Sequence, residues 1–469
     1  MKINFKITLV SSQILLMLLL LGCGDTNEVP PEDLCEEVVC LNEGNCDNGE
    51  CLCINGFSGE NCEISPASEL SLRTAFGSIN TLSVATNGIY AIWWDPKFDH
   101  SGDLDYMFQR LNEIRTDCID NLAMADPPNP GAGYFYNVYI HHGEDDLLPS
   151  GWGNGQGTDQ YGMPFLTLPD GAHLEYGNLL HEGFHIFQYS ANSPGFTYSG
   201  DSQWYVESAA QWYSATKEPS GLYTFIEAGA IISNPHLALW HSFSNQAPGD
   251  PVDWMFQVRQ YGMHTYLYYL AEYAQVSGDI ISGGFYANTS LLPQNYHYTN
   301  IGGDNLRGYF ADWAAHNTAE IDYLSREQYD RALLEVELAG DVNNAHPYVI
   351  EVSDSEAEGV FSPPAPLIPR GWSYNVLKIN NTETIQYTIK LLGEATGSEG
   401  ANAHFESRLV IEKNNGFEFI ELPMTSDLNG QISLKLSPED KTIYVVVAAV
   451  PEHFTGNQTY NYQVEISRE

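Results

Sequence analysis

The residues best placed to do chemistry are His181-Glu182-Gly183-Phe184-His185, an H-E-x-x-H run. Apolar residues from Asn178 to Ser190 suit a helix, so the two imidazoles stand one turn apart on one face. At that spacing both can hold a single zinc ion. Glu182 lies beside them, placed to take a proton from a metal-bound water. Such an ion needs a third protein ligand and an open position. After a Gly/Ser-rich loop from Ser190 to Ser202, a second helical pattern runs from Trp204 to Trp212 with Glu207 among apolar and small residues. A carboxylate there is costly unless paired or metal-bound. A helix, a turn and an antiparallel helix would return Glu207 to the histidines. Asp201 and Glu175 are weaker rivals for the third position.

H-E-x-x-H, a loop and a helix bearing Glu together resemble the gluzincin branch of the zinc metallopeptidases. The stretches His181 to Gln188 and Trp204 to Trp212, with the strands after Gly371, are similar to a family of secreted zincin-like proteins. The resemblance implies that His181, His185 and Glu207 bind zinc and that Glu182 is the general base. It also implies an N-terminal lobe in which an edge strand aligns substrate. One position departs from the pattern: many gluzincins carry Asp four residues after the Glu ligand, where this chain has Gln211. An amide oxygen can still accept from an imidazole N–H. Peptide hydrolysis further needs a donor for the oxyanion. Tyr261 and His264, in Gln260-Tyr261-Gly262-Met263-His264, are the candidates.

Around this centre the chain divides into five parts. Lys2 and Lys6 precede an apolar stretch from Ile7 to Leu21, too short and too promptly followed by polar residues for a good membrane span. It ends in Leu20-Leu21-Gly22-Cys23, which resembles the lipobox of bacterial lipoproteins and implies acylation of Cys23. Each buried CH₂ of an acyl chain contributes about 0.8 kcal/mol to anchoring. Residues 1–22 are thus a signal, 23–34 an acidic tether, and the expected location is the bacterial outer membrane or cell surface. Residues 35–63 hold Cys35, Cys40, Cys46, Cys51, Cys53 and Cys62, spaced C-x4-C-x5-C-x4-C-x-C-x8-C. So short a segment needs covalent staples, and spacing alone leaves their pairing open. The pattern resembles an EGF-like module, which implies pairs 35–46, 40–51 and 53–62. Glu32-Asp33 is only a fragment of the acidic cluster of calcium-binding modules, so calcium is not expected.

Residues 64–342 mix strands and helices. Strands are expected at Gly88–Trp94, Tyr134–Ile140 and Met163–Leu168, with a helix over 103–122 and a long loop from Gly143 to Gly162. His141 and His142 end what is expected to be the edge strand. Cys118 falls on the apolar stripe of the first helix, as a buried free thiol. Residues 343–469 carry eight short candidate strands, the pattern of a β-sandwich. The fold class is therefore α+β.

Lys plus Arg total 19 against 61 Asp plus Glu, a net charge of −42. That excess excludes a nucleic-acid partner and repels an anionic bilayer, which leaves a lipid anchor as the route to a membrane. The partner expected is a protein or peptide substrate, glycoproteins included, and the cofactor is zinc. The competing expectation is a non-catalytic surface adhesin or glycan-binding lipoprotein on a decayed zincin fold.

Overall fold

The computed structural model describes residues 35, 38–40, 45–47, 49–52, 61, 70–143, 146–148, 155–248, 250, 259–338, 348–352, 358–381 and 384–468. The chain forms two compact units, Met1–Ser68 and Glu69–Glu469. In the first, strands β1 (Asn45–Asp47) and β2 (Glu50–Leu52) make an antiparallel ribbon. Disulfides Cys35–Cys46 and Cys40–Cys51 staple it, as the EGF-like resemblance implies. Cys53, Cys62, Cys23 and the signal segment lie outside the described residues. Among the described residues no helix is long and apolar enough to cross a membrane.

The second unit begins with a mixed sheet. Its strands are β3 (Ser83–Thr86), β4 (Tyr90–Trp94), β5 (Tyr136–His141), β6 (Gly155–Thr158) and β7 (Pro164–Pro169), in the order β3-β4-β5-β7-β6. β4, β5 and β7 run parallel, while β3 and β6 pair antiparallel at the two edges. Two expectations are corrected here. β5 is the central strand rather than an edge. Every residue of it is buried, as parallel strands covered on both faces require. The stretch expected to be one long loop contains β6, whose Gly-Gln-Gly-Thr sequence has no apolar alternation and which pairs antiparallel with β7.

Helix α1 (Leu104–Asp120) covers the sheet with the stripe Met107, Leu111, Ile114 and Cys118. Cys118 is a buried free thiol, and burial pushes its pKa up. After a short turn of helix, α2 (Pro128–Gly131), come α3 (Tyr176–Gln188) and α4 (Gln203–Lys217). α1 packs on α3 closely: a Cβ added at Gly183 would stand 2.9 Å from Ile114 Cδ1. α4 is buried on nearly all sides, with Trp204 and Tyr205 fully enclosed. Such a helix is central rather than amphipathic.

The C-terminal strands form a two-sheet sandwich. One sheet has the order β13-β12-β15-β10-β8 and the other β14-β11-β16-β9. Their ranges are β8 Ile350–Val352, β9 Gly359–Phe361, β10 Ser373–Asn380, β11 Ile385–Gly393, β12 Phe405–Lys413, β13 Gly416–Leu422, β14 Asn429–Leu436, β15 Thr442–Ala449 and β16 Tyr462–Arg468. All the expected strands appear; β9, only three residues long, was not foreseen. Along β10 and β15, Leu377, Ile379, Val445 and Val447 face the second sheet. The alternate residues Tyr374, Val376, Val446 and Ala448 join Phe310 and Trp313 of the helix Gly303–Thr318 in the larger core. Backbone bonds Leu239 N→Trp372 O (3.0 Å) and Tyr374 N→Pro235 O (2.9 Å) tie the two regions further. The expected boundary near residue 342 therefore separates helices from strands, while the core runs across it.

Candidate metal centre

α3 presents His181 and His185 on one face, and α4 packs beside it with Glu207 turned toward them. His181 Nε2 and His185 Nε2 are 3.1 Å apart. Glu207 Oε2 stands 3.2 Å from the first and 3.4 Å from the second. All three residues are buried.

The positions of the protons make this triangle informative. Gln188 donates its amide N–H to Val206 O (3.0 Å), which turns its carbonyl oxygen to His185 Nδ1 at 2.5 Å. Gln211 donates to Thr224 O (3.3 Å) and offers its oxygen to His181 Nδ1 at 2.8 Å. Each imidazole therefore carries its proton on Nδ1 and turns the Nε2 lone pair inward. With both imidazoles neutral, two lone pairs and a carboxylate oxygen converge, and either a cation or a proton on His181 Nε2 donated to Glu207 relieves their repulsion. A tetrahedral ion with N and O ligands at about 2.0–2.1 Å sets those atoms roughly 3.3 Å apart, which matches the triangle.

Electrostatics favour the same conclusion. Burial alone would depress the His181 pKa, but the Glu207 hydrogen bond and the Glu182 and Glu207 charges raise it to about 9. Burial would raise Glu207, but the two imidazoles hold it well below the usual carboxylate range. The cluster attracts positive charge, and a metal ion satisfies it as a proton does.

Glu182 borders a cleft of about 540 Å³ together with His181 and Tyr261. Burial raises its pKa, only partly offset by the two imidazoles. Tyr261 stacks on His181 with ring centroids 5.8 Å apart. Burial, then the nearby Glu207 carboxylate, keeps its phenol protonated, so it can donate. The cleft is acidic: Glu175, Glu182, Glu218 and Glu227 all line it. Burial pushes Glu227 up to about 7, and its Oε2 has no partner among the described residues.

The other expected residues lie elsewhere. His264 is fully buried and does not line the cleft. Its ring stacks on Phe225, its Nδ1 donates to Tyr261 O at 2.8 Å, and burial lowers its pKa to about 4. It holds Tyr261 in place rather than facing a reacting atom. Asp201 accepts from Asn245 Nδ2 (2.7 Å) and Gly456 N (2.9 Å), a loop tie distant in role from the cluster. Glu175 reaches the cleft wall but not the cluster.

Gln188 and Tyr198 went unforeseen. Gln188 follows His185 by one helical turn, a spacing legible in sequence. Tyr198 arrives from the loop between α3 and α4. Its hydroxyl faces Glu207, and burial followed by that carboxylate raises its pKa. No sequence pattern signals it.

No protein-family model matches the chain, nor does any curated protein. Among solved structures, the pre-peptidase C-terminal domain of a collagenase from Bacillus anthracis aligns at 9% identity, covering 26% of this chain and 95% of that one, with TM-score 0.19. A CBM35 module from Cellvibrio japonicus aligns at 20% identity over 21% and 67%, with TM-score 0.14. A GH115 4-O-methyl-α-glucuronidase specific for decorated arabinogalactans aligns at 10% identity over 74% and 54%, with TM-score 0.13. Likenesses at this level carry no argument about fold or function.

Proposed function

We propose that the protein is a cell-surface zinc-dependent metallopeptidase of the gluzincin type, anchored through Cys23. The observation that carries this reading is the triangle of inward-facing acceptor atoms from His181, His185 and Glu207, each histidine fixed by an amide behind it. A divalent ion held there would supply Lewis acidity to a scissile carbonyl and its attacking water. Glu182, at the cleft wall, takes the proton from the water and returns it to the leaving amine. A carboxyl raised by burial is better matched to that transfer than an ordinary one. Tyr261 donates to the oxygen on which negative charge develops. β6 pairs on one side only among the described residues and packs near α3, so its other side can receive an extended peptide.

The test is a pair of measurements on the whole chain. Metal analysis is expected to find one equivalent of zinc fewer in His181→Ala and in Glu207→Ala than in the native chain, and no loss in Glu182→Gln. Cleavage of a peptide library is expected to fall by about 10²–10⁴ in Glu182→Gln. Zinc retained with no cleavage by the native chain would favour the non-catalytic surface binder. No zinc at all would end the metallopeptidase reading.

A further inference from the structure

We infer that the chain holds a second divalent transition-metal site, formed by His100, His142 and Asp170 at the carboxyl end of the parallel strands. The topology brings these residues together. His100 follows β4, His142 follows β5 and Asp170 follows β7, three adjacent strands running the same way. The crevice outside the carboxyl ends of such strands is where open α/β sheets place ligands.

The hydrogen bonds fix the tautomers. His100 Nδ1 lies 2.8 Å from Asp103 Oδ2. His142 Nδ1 lies 3.2 Å from Asp146 Oδ2, which also accepts the His142 main-chain N–H at 2.7 Å. Asp146 Oδ1 takes the Leu148 N–H at 2.9 Å, so this carboxylate is an acceptor throughout. Both imidazoles thus carry Nδ1 protons and turn their Nε2 lone pairs toward each other, 3.0 Å apart. Facing lone pairs repel, and a cation between them removes the repulsion.

The rings are not free to turn away. Phe98 stacks on His142 with centroids 3.5 Å apart and planes 10° from parallel. Trp94 meets His100 edge-on at 6.1 Å, and His100 is only 4% exposed. Asp170 Oδ2 stands 3.9 Å from His142 Nε2 on an exposed side chain that can turn in as third ligand. Carboxylates behind ligand histidines are the usual second layer of metal sites, and an N₂O donor set suits Zn²⁺ or its neighbours.

The adjoining trio makes a useful contrast. Asp103 Oδ2 also accepts from His173 Nε2 at 3.0 Å, while His173 Nδ1 takes the Gly171 N–H at 3.2 Å. Every atom there has a partner of opposite character, so that trio needs no ion and serves to aim His100.

The test uses the full chain, stripped by chelator, reloaded with Zn²⁺, desalted and assayed for bound metal. Two equivalents are expected in the native protein and one in either His142→Ala or His181→Ala. None is expected in the double variant. Asp170→Asn, a change at an exposed side chain that spares folding, is expected to weaken Zn²⁺ at this site at least about tenfold. The proposal is overturned if His142→Ala, shown folded by circular dichroism, binds as much zinc as the native chain. It is equally overturned if Asp170→Asn leaves Zn²⁺ affinity unchanged, the result expected were a shared proton to bridge the imidazoles. Loss of metal in His181→Ala reports on the other centre alone, so the two can fail separately.

Discussion

A glutamine stands behind each histidine of the proposed centre, and an amide offers no charge to reinforce the imidazole. Gln188 and Gln211 still decide which nitrogen faces inward, since each is itself locked by a main-chain carbonyl. Gln211→Leu is expected to weaken zinc binding by about 10- to 100-fold, measured by competition with a chelator, with the fold unchanged. The acidic cleft leads to a second expectation. With Glu175 and Glu218 lining the cleft beside Glu182, peptides with Lys or Arg near the scissile bond should be cleaved faster than those with Asp or Glu. That preference should shrink as salt screens the cleft. Assays of matched peptides at low and high ionic strength would show it. Of these residues, the two histidines were legible in sequence because local spacing defines them, and Glu207 because it is a carboxylate among apolar residues of a second helical pattern. Glu227 and Tyr198 were not, because only the completed fold brings them near.

At the scale of elements, the helix that carries His181 and His185 owes its position to a missing side chain. α1 and α3 approach at Gly183, where a Cβ would press on Ile114 Cδ1 at 2.9 Å. The tip of an isoleucine can yield to one methyl group, so Gly183→Ala should be tolerated. Gly183→Val should cost about 1–3 kcal/mol by overpacking and weaken zinc by pushing α3 off α4. Thermal melts with and without added zinc would separate the two effects. The helical pattern of α3 was readable from its apolar periodicity. The sheet order was not: the strand ending in His141 and His142 reads as an edge, and β6 has no apolar residue to announce it. Strand order depends on which backbone edges meet, and side-chain pattern records that only indirectly.

Across the whole molecule, acid is expected to loosen the fold before it strips the carboxylate pairs. Burial holds the pKa values of His236, His264 and His297 at about 4 and that of His241 lower still, from an ordinary 6.5. These groups stay neutral in the folded chain, while the unfolded chain protonates them below about pH 6.5. Stability should therefore fall as pH drops from 6.5 toward 4, by up to about 1.4 kcal/mol per unit for each histidine. Glu227 and Glu182, both raised by burial, work in the opposite direction and offset part of the decline. Melting temperatures from pH 7 to pH 5 would show the decline, and His297→Gln should flatten it. The β-sandwich was legible from its short strands and turns, whereas its attachment was not, because outward-facing valines and tyrosines look alike whether they meet solvent or helices. Sheet β10-β12-β15 has two working sides, and the indoles of Trp313 and Trp372 are sealed against one of them. Gene fusions that exchange residues 343–469 for another sandwich would leave those indoles facing water, so this region does not behave as an interchangeable bead on a string.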